Sequence, residues 1–281
     1  MNATHLTFLM VKGEVYMGEK RAIHRSKVPH TVDSISKELH NLGITKGDTV
    51  ILHSALGQAG WVCGGGVAII KAFQQAVTKQ GNLVIPAQSS NVSDPAKWRN
   101  PAVPKEWWST IYAEMPAYDP EETPTFFMGV IPETFRKMKD VKRSSHPKYS
   151  FCAWGSDAAF ITEKHALNFG FGEQSPLGRL YELQAKIVLF GVDHDKNTSL
   201  HLAEHRAKKF RIQQEQSPMM VNGTKVWQKY DELAYNSDAF ISIGRQYERE
   251  TAHQPTTLAG APTKIFDMCR LVDYASDVIS E

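Results

Sequence analysis

The chain has 281 residues, 42% hydrophobic and 10% aromatic, which is enough for a sizeable core in one large domain or two small ones. Its formal net charge is only +2, and Lys142-Arg143 and Lys208-Lys209 are local basic pairs, not a stripe, so a nucleic-acid partner is poorly supported. No run of about 18 apolar residues occurs, so a spanning helix and a membrane partner are not expected. Cys63, Cys152 and Cys269 are odd in number and far apart, which argues against a disulfide framework and fits a reducing cytoplasm. Cys152, next to Phe151, reads as a small core residue.

In chain order, Met1 to Val11 carries a short apolar patch, Leu6 to Val11, without a basic leader or cleavage site, so it is not read as a signal peptide. Met10 and Met17 follow closely. Residues 1–30 are therefore expected to be a loosely ordered extension, and 31–281 a single domain. Val32, Ile35, Leu39 and Leu42 recur at helical spacing, with Thr31 as N-cap and Gly43 at C′. Thr49 to Ser54 reads as a strand, Gly64-Gly65-Gly66 leads into a helix over Val67 to Phe73, and Asn82 to Pro86 is a second strand. Asn91 to Pro124 is irregular and rich in proline and tryptophan, and reads either as a cleft wall or as a packed surface loop.

Ile187 to Val192 is a strongly apolar run and reads as a buried strand. Val221 to Trp227 predicts a hairpin with a tight Asn222-Gly223 turn, and Ser237 to Arg249 has helical period. Strands and helices alternate throughout, so the class is α/β, and the hairpin implies a mixed sheet.

The most chemically loaded segment is Asn197-Thr198-Ser199-Leu200-His201-Leu202-Ala203-Glu204-His205. A strand running into a polar loop and a helix is where α/β enzymes place chemistry. On that helix His201 shares a face with Glu204 and His205, and Thr198 sits near the helix start. An imidazole, an orienting carboxylate and an oxyanion donor make an acyl-transfer site. Plainer readings compete: Asn197 or Thr198 caps the helix, and Glu204 is a solvated charge. A third alternative is a zinc hydrolase, because His201-x-x-Glu204-His205 matches an inverted zinc-peptidase pattern.

Two further polar clusters stand out. The His53 to Phe73 segment, a strand, a polar turn, a glycine run and a helix start, suits a pyrophosphate, with Ser54 and Gln58 as added donors. It is neither a Walker loop nor the dinucleotide fingerprint. In Arg143-Ser144-Ser145-His146-Pro147, His146 is held extended before its proline and either projects its ring from a loop or caps a nearby carbonyl. Arg143 is suited to a phosphate or carboxylate.

Several motifs together resemble the aminoglycoside 3-N-acetyltransferase family, over about Thr31 to Ile279. They are Thr49-Val-Ile-Leu-His53-Ser54, Gly60-Trp61-Val-Cys-Gly64-Gly65, Gly81-Asn-Leu-Val-Ile-Pro86, Arg143-Ser144-Ser145-His146-Pro147, Gly172-Glu173-Gln174-Ser175-Pro176-Leu177 and Asn197 to Glu204. The resemblance implies a three-layer α/β/α sandwich, distinct from the small GNAT fold, and acetyl-CoA as cosubstrate with no metal. CoA would lie along His53, Ser54, Ala55, Leu56, Trp61 and Gly64, Gly65 and Gly66, with Arg143, Ser144 and Ser175 also in its site. His201 would be the base, Glu204 its orienter and Thr198 an oxyanion donor.

Ala55 departs from the family, which usually has a second serine there. The implied substrate is an amine-bearing small molecule, with the 3-amino group of 2-deoxystreptamine aminoglycosides as one candidate and His146, Glu121 and Glu122 on the substrate side. Asp94, Glu106, Glu114 and Asp119 would extend an acidic wall. A non-catalytic CoA-binding protein is the other alternative, and a homodimer is left open.

Overall fold

The computed structural model describes residues 18–207 and 211–281. The apolar patch at Leu6 to Val11, Met10, Met17 and the Lys208-Lys209 pair lie outside the described residues. After a helix over residues 18–25 come α1 (Val32–Asn41), β1 (Thr49–Ser54), α2 (Gly65–Val77), β2 (Asn82–Pro86), α3 (Trp108–Glu114), α4 (Val130–Phe135), β3 (Lys142–Arg143), β4 (Phe151–Gly155), α5 (Ala158–Thr162) and α6 (Pro176–Glu182). The chain continues with β5 (Lys186–Phe190), α7 (Leu200–Arg206), β6 (Ile212–Val221), β7 (Thr224–Leu233), α8 (Phe240–Glu250), β8 (Thr256–Leu258), β9 (Ala261–Asp267) and α9 (Met268–Ser280).

Seven strands form one mixed sheet in the order β3-β4-β2-β1-β5-β9-β8. The central strands β2, β1 and β5 are parallel, and antiparallel strands finish both flanks. Side chains alternate across the sheet, so Val50 and Leu52 of β1 pack with Ile35, Leu39, Ile69 and Phe73 from α1 and α2. Ile51 faces the opposite layer, with Leu177 of α6, Leu200 of α7, Ile243 of α8 and Leu271 of α9. These two cores make the three-layer α/β/α sandwich. Cys152 is buried in the first, where desolvation pushes its thiol up to about 12.

Local signals explain most element ends. Thr31 and Ser34 form a reciprocal capping box at the start of α1, with Thr31 N–H donating to Ser34 Oγ at 2.9 Å. Asn222 and Gly223 have φ of 51° and 78°, the two positive values a tight hairpin turn requires, and they join β6 to β7. β5 ends at Phe190, short of the Val192 expected from the apolar run, because Gly191 turns the chain with φ 67°. A Cβ on Gly191 would lie 2.9 Å from the Ala55 carbonyl oxygen and 2.7 Å from Gln58 Cβ. The loop after β5 therefore passes directly against the turn after β1.

Two expectations need correction, and of the two readings of the 91–124 excursion the packed loop is the one observed. Residues 18–30 are packed: Arg25 donates to Gly57 O and Ala59 O at 2.9 and 3.0 Å, and His30 N–H to Trp61 O at 2.9 Å. The helix bearing His201 starts at Leu200 with Ser199 at the cap, so neither Asn197 nor Thr198 caps it; a short 3₁₀ turn, His194–Lys196, precedes them. The Asn91 to Pro124 excursion rests on the β6–β7 arm, through Trp227 Nε1–H to Tyr112 O at 2.8 Å and Gln216 Nε2–H to Asp94 at 2.8 Å.

Buried histidines tie the loop after β3 to the loop after α5. His146 donates from Nε2 to Leu167 O at 3.1 Å and accepts Tyr149 N–H at 3.0 Å. His165 donates to Gly170 O at 2.7 Å and accepts from Ser144 Oγ at 2.9 Å. Desolvation holds both below the usual imidazole range, His165 at about 4. The unfolded chain binds these protons near pH 6.5, while the folded one does not until far lower. Stability from these groups is therefore complete above pH 6.5 and falls toward pH 4, by up to roughly 1.4 kcal/mol per pH unit for each ring. Urea unfolding at pH 7.5 and 5.5 is expected to show the lower midpoint at 5.5, and an unchanged or higher one would contradict the neutral assignment.

A glycine supplies a second check. The ring of His194 lies against α8 so closely that a Cβ on Gly244 would fall 2.1 Å from its Cγ. Gly→Ala in a helix interior is normally favourable by about 1 kcal/mol. Here G244A is expected to destabilise by about 1–3 kcal/mol through overpacking. Adding H194A should remove most of the clash, so thermal melts of the two single variants and the double variant should be strongly non-additive.

Candidate active site

The C-terminal ends of β1 and β5 open onto a cavity of about 600 Å³. Such a crevice is where open α/β sheets bind ligands. One wall is the end of β1 and the turn that follows, His53 to Gly57. Another is Phe127 to Pro132, running into α4. The third is the loop after β5, Asp195 to Thr198, with His201 of α7 and Phe240 of α8. The rim residue Phe127 is 86% exposed and has φ 55°, an uncommon conformation for a bulky side chain.

His201 is fixed from every side. Its Nδ1 lies 2.6 Å from Glu204 Oε2, and Glu204 Oε1 accepts the Asn236 N–H at 2.8 Å. With both carboxylate oxygens engaged, Nδ1 carries the ring proton and Nε2 has a free lone pair, a tautomer assigned from its partners. Phe171 stacks flat on the imidazole at 4.7 Å and 5°, while Tyr235 and Phe240 close its edges at 4.7 and 4.9 Å. Behind this cage Tyr235 donates a very short bond to Glu232 and accepts from His205 Nε2 at 2.7 Å. Desolvation raises Glu232 to about 7 and lowers His205 to about 4.

His53 ends the buried part of β1 and is 6% exposed. Desolvation, with His201 adding to it, lowers its pKa to about 3, so the ring is neutral. Three cavity residues each hold a buried polar atom with no protein partner: His53 Nε2, Ser54 Oγ and Asn197 Nδ2. None of the three atoms has surface open to the cavity, so each lies behind its lining.

The structure sorts the sequence candidates. His53, Ser54, Ala55, Leu56, Thr198 and His201 line the cavity, and Glu204 stands directly behind His201. Trp61 does not line it; its backbone N–H donates to Ser26 Oγ. Gly64, Gly65 and Gly66 also stay outside, at the start of α2, where Gly66 packs on Ile131 of the cavity wall. Gly65 has φ 56°, so a bulky residue there would strain the backbone with or without a ligand.

Arg143 is consumed internally, donating to Ala87 O, Pro120 O, Thr123 O and two serine hydroxyls. Ser144 accepts the Phe151 N–H, and Ser175 caps α6. His146 is buried in its backbone contacts and does not project from its loop. Glu121 and Glu122 are exposed outside the cavity, in a turn capped by Asp119. Neither these glutamates nor Asp94, Glu106, Glu114 and Asp119 form a cavity wall; the acidic lining residue is Asp195.

The zinc geometry also fails. His205 turns to Tyr235, His201 to Glu204, and the donor atoms do not converge. Among the described residues the group with metal-ligand spacing is Asp193, His194 and Glu248. Lys264 Nζ lies 2.7 Å from both carboxylates there, so a side-chain cation already bridges them.

Composition and pattern alone gave no sign of Tyr235, Phe171, Asn236 or the 127–132 wall, because their roles depend on loops that meet only in the fold.

Known proteins share this fold. The family profile described as aminoglycoside 3-N-acetyltransferase matches residues 51–280. The SPbeta prophage-derived aminoglycoside N(3')-acetyltransferase-like protein YokD of Bacillus subtilis is 43% identical, over 91% of this chain and 94% of its own length. The crystal structure of the aminoglycoside acetyltransferase AAC(3)-Xa superposes with a TM-score of 0.87 at 28% identity, covering 95% of this chain and 98% of that one. AAC-IIIb, solved as a binary complex with CoASH, gives 0.79 at 26% identity, covering 89% and 96%. By profile, identity and fold, the chain belongs to the aminoglycoside 3-N-acetyltransferase family.

Proposed function

We propose that this chain transfers the acetyl group of acetyl-CoA to an amine of a small molecule, with His201 as general base. The observation that carries this reading is the His201–Glu204 bond of 2.6 Å, made by a ring that borders the cavity. Acetyl-CoA supplies an activated thioester. Alkyl amines are mostly protonated at neutral pH, so the reacting amine first loses its ammonium proton to solvent. As nitrogen adds to the thioester carbon, His201 takes the nitrogen's next proton at Nε2 and returns it to the departing CoA thiolate. Glu204 fixes the tautomer and balances the imidazolium, while the Asn236 N–H keeps the carboxylate in place. The turn from His53 to Leu56 and the Val130 to Pro132 wall, which line the cavity, hold the cosubstrate; that the related AAC-IIIb was solved with CoASH supports CoA as that cosubstrate. Thr198 stands on the same wall as a hydroxyl donor.

Aminoglycosides are the first substrate class to test, on the strength of the names its relatives carry. Polycationic sugars favour carboxylates, and Asp195 is the acidic residue that lines the cavity. No described helix is long and apolar enough to cross a membrane. With free thiols at Cys63, Cys152 and Cys269, a cytoplasmic site of action fits. The chemistry assigned to His201 and Glu204 requires no metal.

A thiol-release assay with acetyl-CoA tests the reading over 2-deoxystreptamine antibiotics and simple monoamines. Wild-type turnover is expected, and H201A is expected to lower kcat by about 10²–10⁴ while CoA still binds. E204Q should fall between them. Wild-type turnover in H201A would remove the base, and CoA binding without transfer to any amine would leave only the non-catalytic alternative.

A further inference from the structure

The turn after β1 has two flanks. The loop after β5 packs on one, where Gly191 runs against Ala55 and Gln58. Residues 19–30 pack on the other. The family motifs begin at Thr49, so none of them gives that stretch a role.

Leu56–Gln58 is a single 3₁₀ turn. Its internal bonds run from Gln58 N–H to Ala55 O and from Ala59 N–H to Leu56 O, both at 3.0 Å. The last carbonyls of such a turn point out of it and need donors from elsewhere. Arg25 supplies them. One guanidinium nitrogen, Nη2, donates to Gly57 O at 2.9 Å and to Ala59 O at 3.0 Å. Gly57 lines the cavity, so this contact is made to the cavity wall itself.

Neighbouring bonds fix the position from which Arg25 reaches. Ser26 Oγ accepts the Trp61 N–H at 2.7 Å, His30 N–H donates to Trp61 O at 2.9 Å, and Cys63 N–H donates to His30 O at 2.8 Å. The two segments approach so closely that a Cβ on Gly60 would fall 2.4 Å from Ser26 Oγ. Trp61 also donates from its indole N–H to Glu19 at 3.3 Å. Its place is therefore in the anchor of this segment, outside the cavity.

We propose that Arg25 is a positioning residue for the cosubstrate, holding the 56–59 turn in its binding shape before acetyl-CoA arrives. The proposal rests on the acetyltransferase reading, which sets acetyl-CoA against this turn. Gly57 restrains the backbone little by itself, so the clamp from Arg25 supplies the order. Binding then starts from the competent shape, and affinity is not reduced by the cost of ordering the turn. Without the clamp that cost falls on binding, and it vanishes once the site is saturated. The bond between His201 and Glu204 lies within α7 and uses none of these contacts. Loss of the clamp therefore shows in KM and leaves kcat in place.

The test compares wild type, R25M and R25K as full chains. Arg25 is exposed, so replacing it leaves the core intact. R25M keeps the aliphatic stem and removes the donors, and R25K returns a cation with N–H groups. One readout is hydrogen exchange of the Gln58 and Ala59 amides in the ligand-free chain. The other is steady-state kinetics with acetyl-CoA and with S-acetylpantetheine, which carries the thioester arm without phosphates. In R25M, exchange is expected to rise about fivefold to twentyfold, and KM for both thioesters by a similar factor. Saturating CoA should erase the exchange difference, and kcat should stay within about twofold of wild type. R25K should recover part of both changes.

An unmoved KM in R25M would overturn the proposal, and so would a raised KM without faster exchange. A KM raised for acetyl-CoA but not for S-acetylpantetheine would also overturn it, because the guanidinium would then be meeting a phosphate and not the turn. A wild-type chain that neither bound acetyl-CoA nor acetylated any amine would bring down the transferase reading and the positioning role together. Failure of R25M to change KM in an active enzyme removes the positioning role alone.

Discussion

The hydrogen bond between His201 and Glu204 is the constraint on which the rest of the site depends. A free imidazole has two tautomers and a freely turning ring, and only one arrangement leaves a lone pair toward the cavity. Glu204 selects it at 2.6 Å, and the Asn236 N–H prevents the carboxylate from turning away. Phe171, Tyr235 and Phe240 then exclude other ring orientations. Much of the surrounding architecture can be traced to keeping this one ring in place. Tyr235 is held by Glu232 and His205, and Phe240 opens the helix that packs against His194.

The second requirement is that two strand ends meet. β1 and β5 are parallel neighbours, so both deliver their following loops to the same edge. Gly191 lets those loops touch: any side chain there would drive into Ala55 and Gln58. The turn after β1 and the segment bearing His201 are thus held at a fixed separation by backbone contact. That rigidity is what a preorganised site needs, since a displacement of about 1 Å can cost about 10²-fold in rate.

Much of this was legible in the sequence because the signals were local. Thr31 with Ser34, Asn222 with Gly223, and the apolar runs of β1, β2 and β5 set elements through nearest neighbours, and the observed elements follow them closely. The pairing of His201 with Glu204 is likewise a helical spacing of three. Longer-range partners were not legible. Arg143 looks like an anion binder in isolation, yet its guanidinium is spent on the carbonyls of a loop some twenty residues upstream and on Ala87. His146 looks exposed before its proline, yet burial against Tyr149 and Tyr230 makes it structural. Glu121 and Glu122 looked like a cleft wall, but the loop carrying them is tied to the β6–β7 arm and leaves them in solvent. In each case tertiary burial decided what a local pattern could not.

Tautomer assignment by ¹⁵N NMR tests the account most directly. In the neutral ring of His201 the account predicts a protonated Nδ1, and an unprotonated Nε2 that responds to ligands in the cavity. In E204Q the population should shift toward the other tautomer. A His201 ring protonated at Nε2 in wild type, or a tautomer balance indifferent to E204Q, would contradict the claim that Glu204 holds this imidazole ready to accept a proton from the substrate amine.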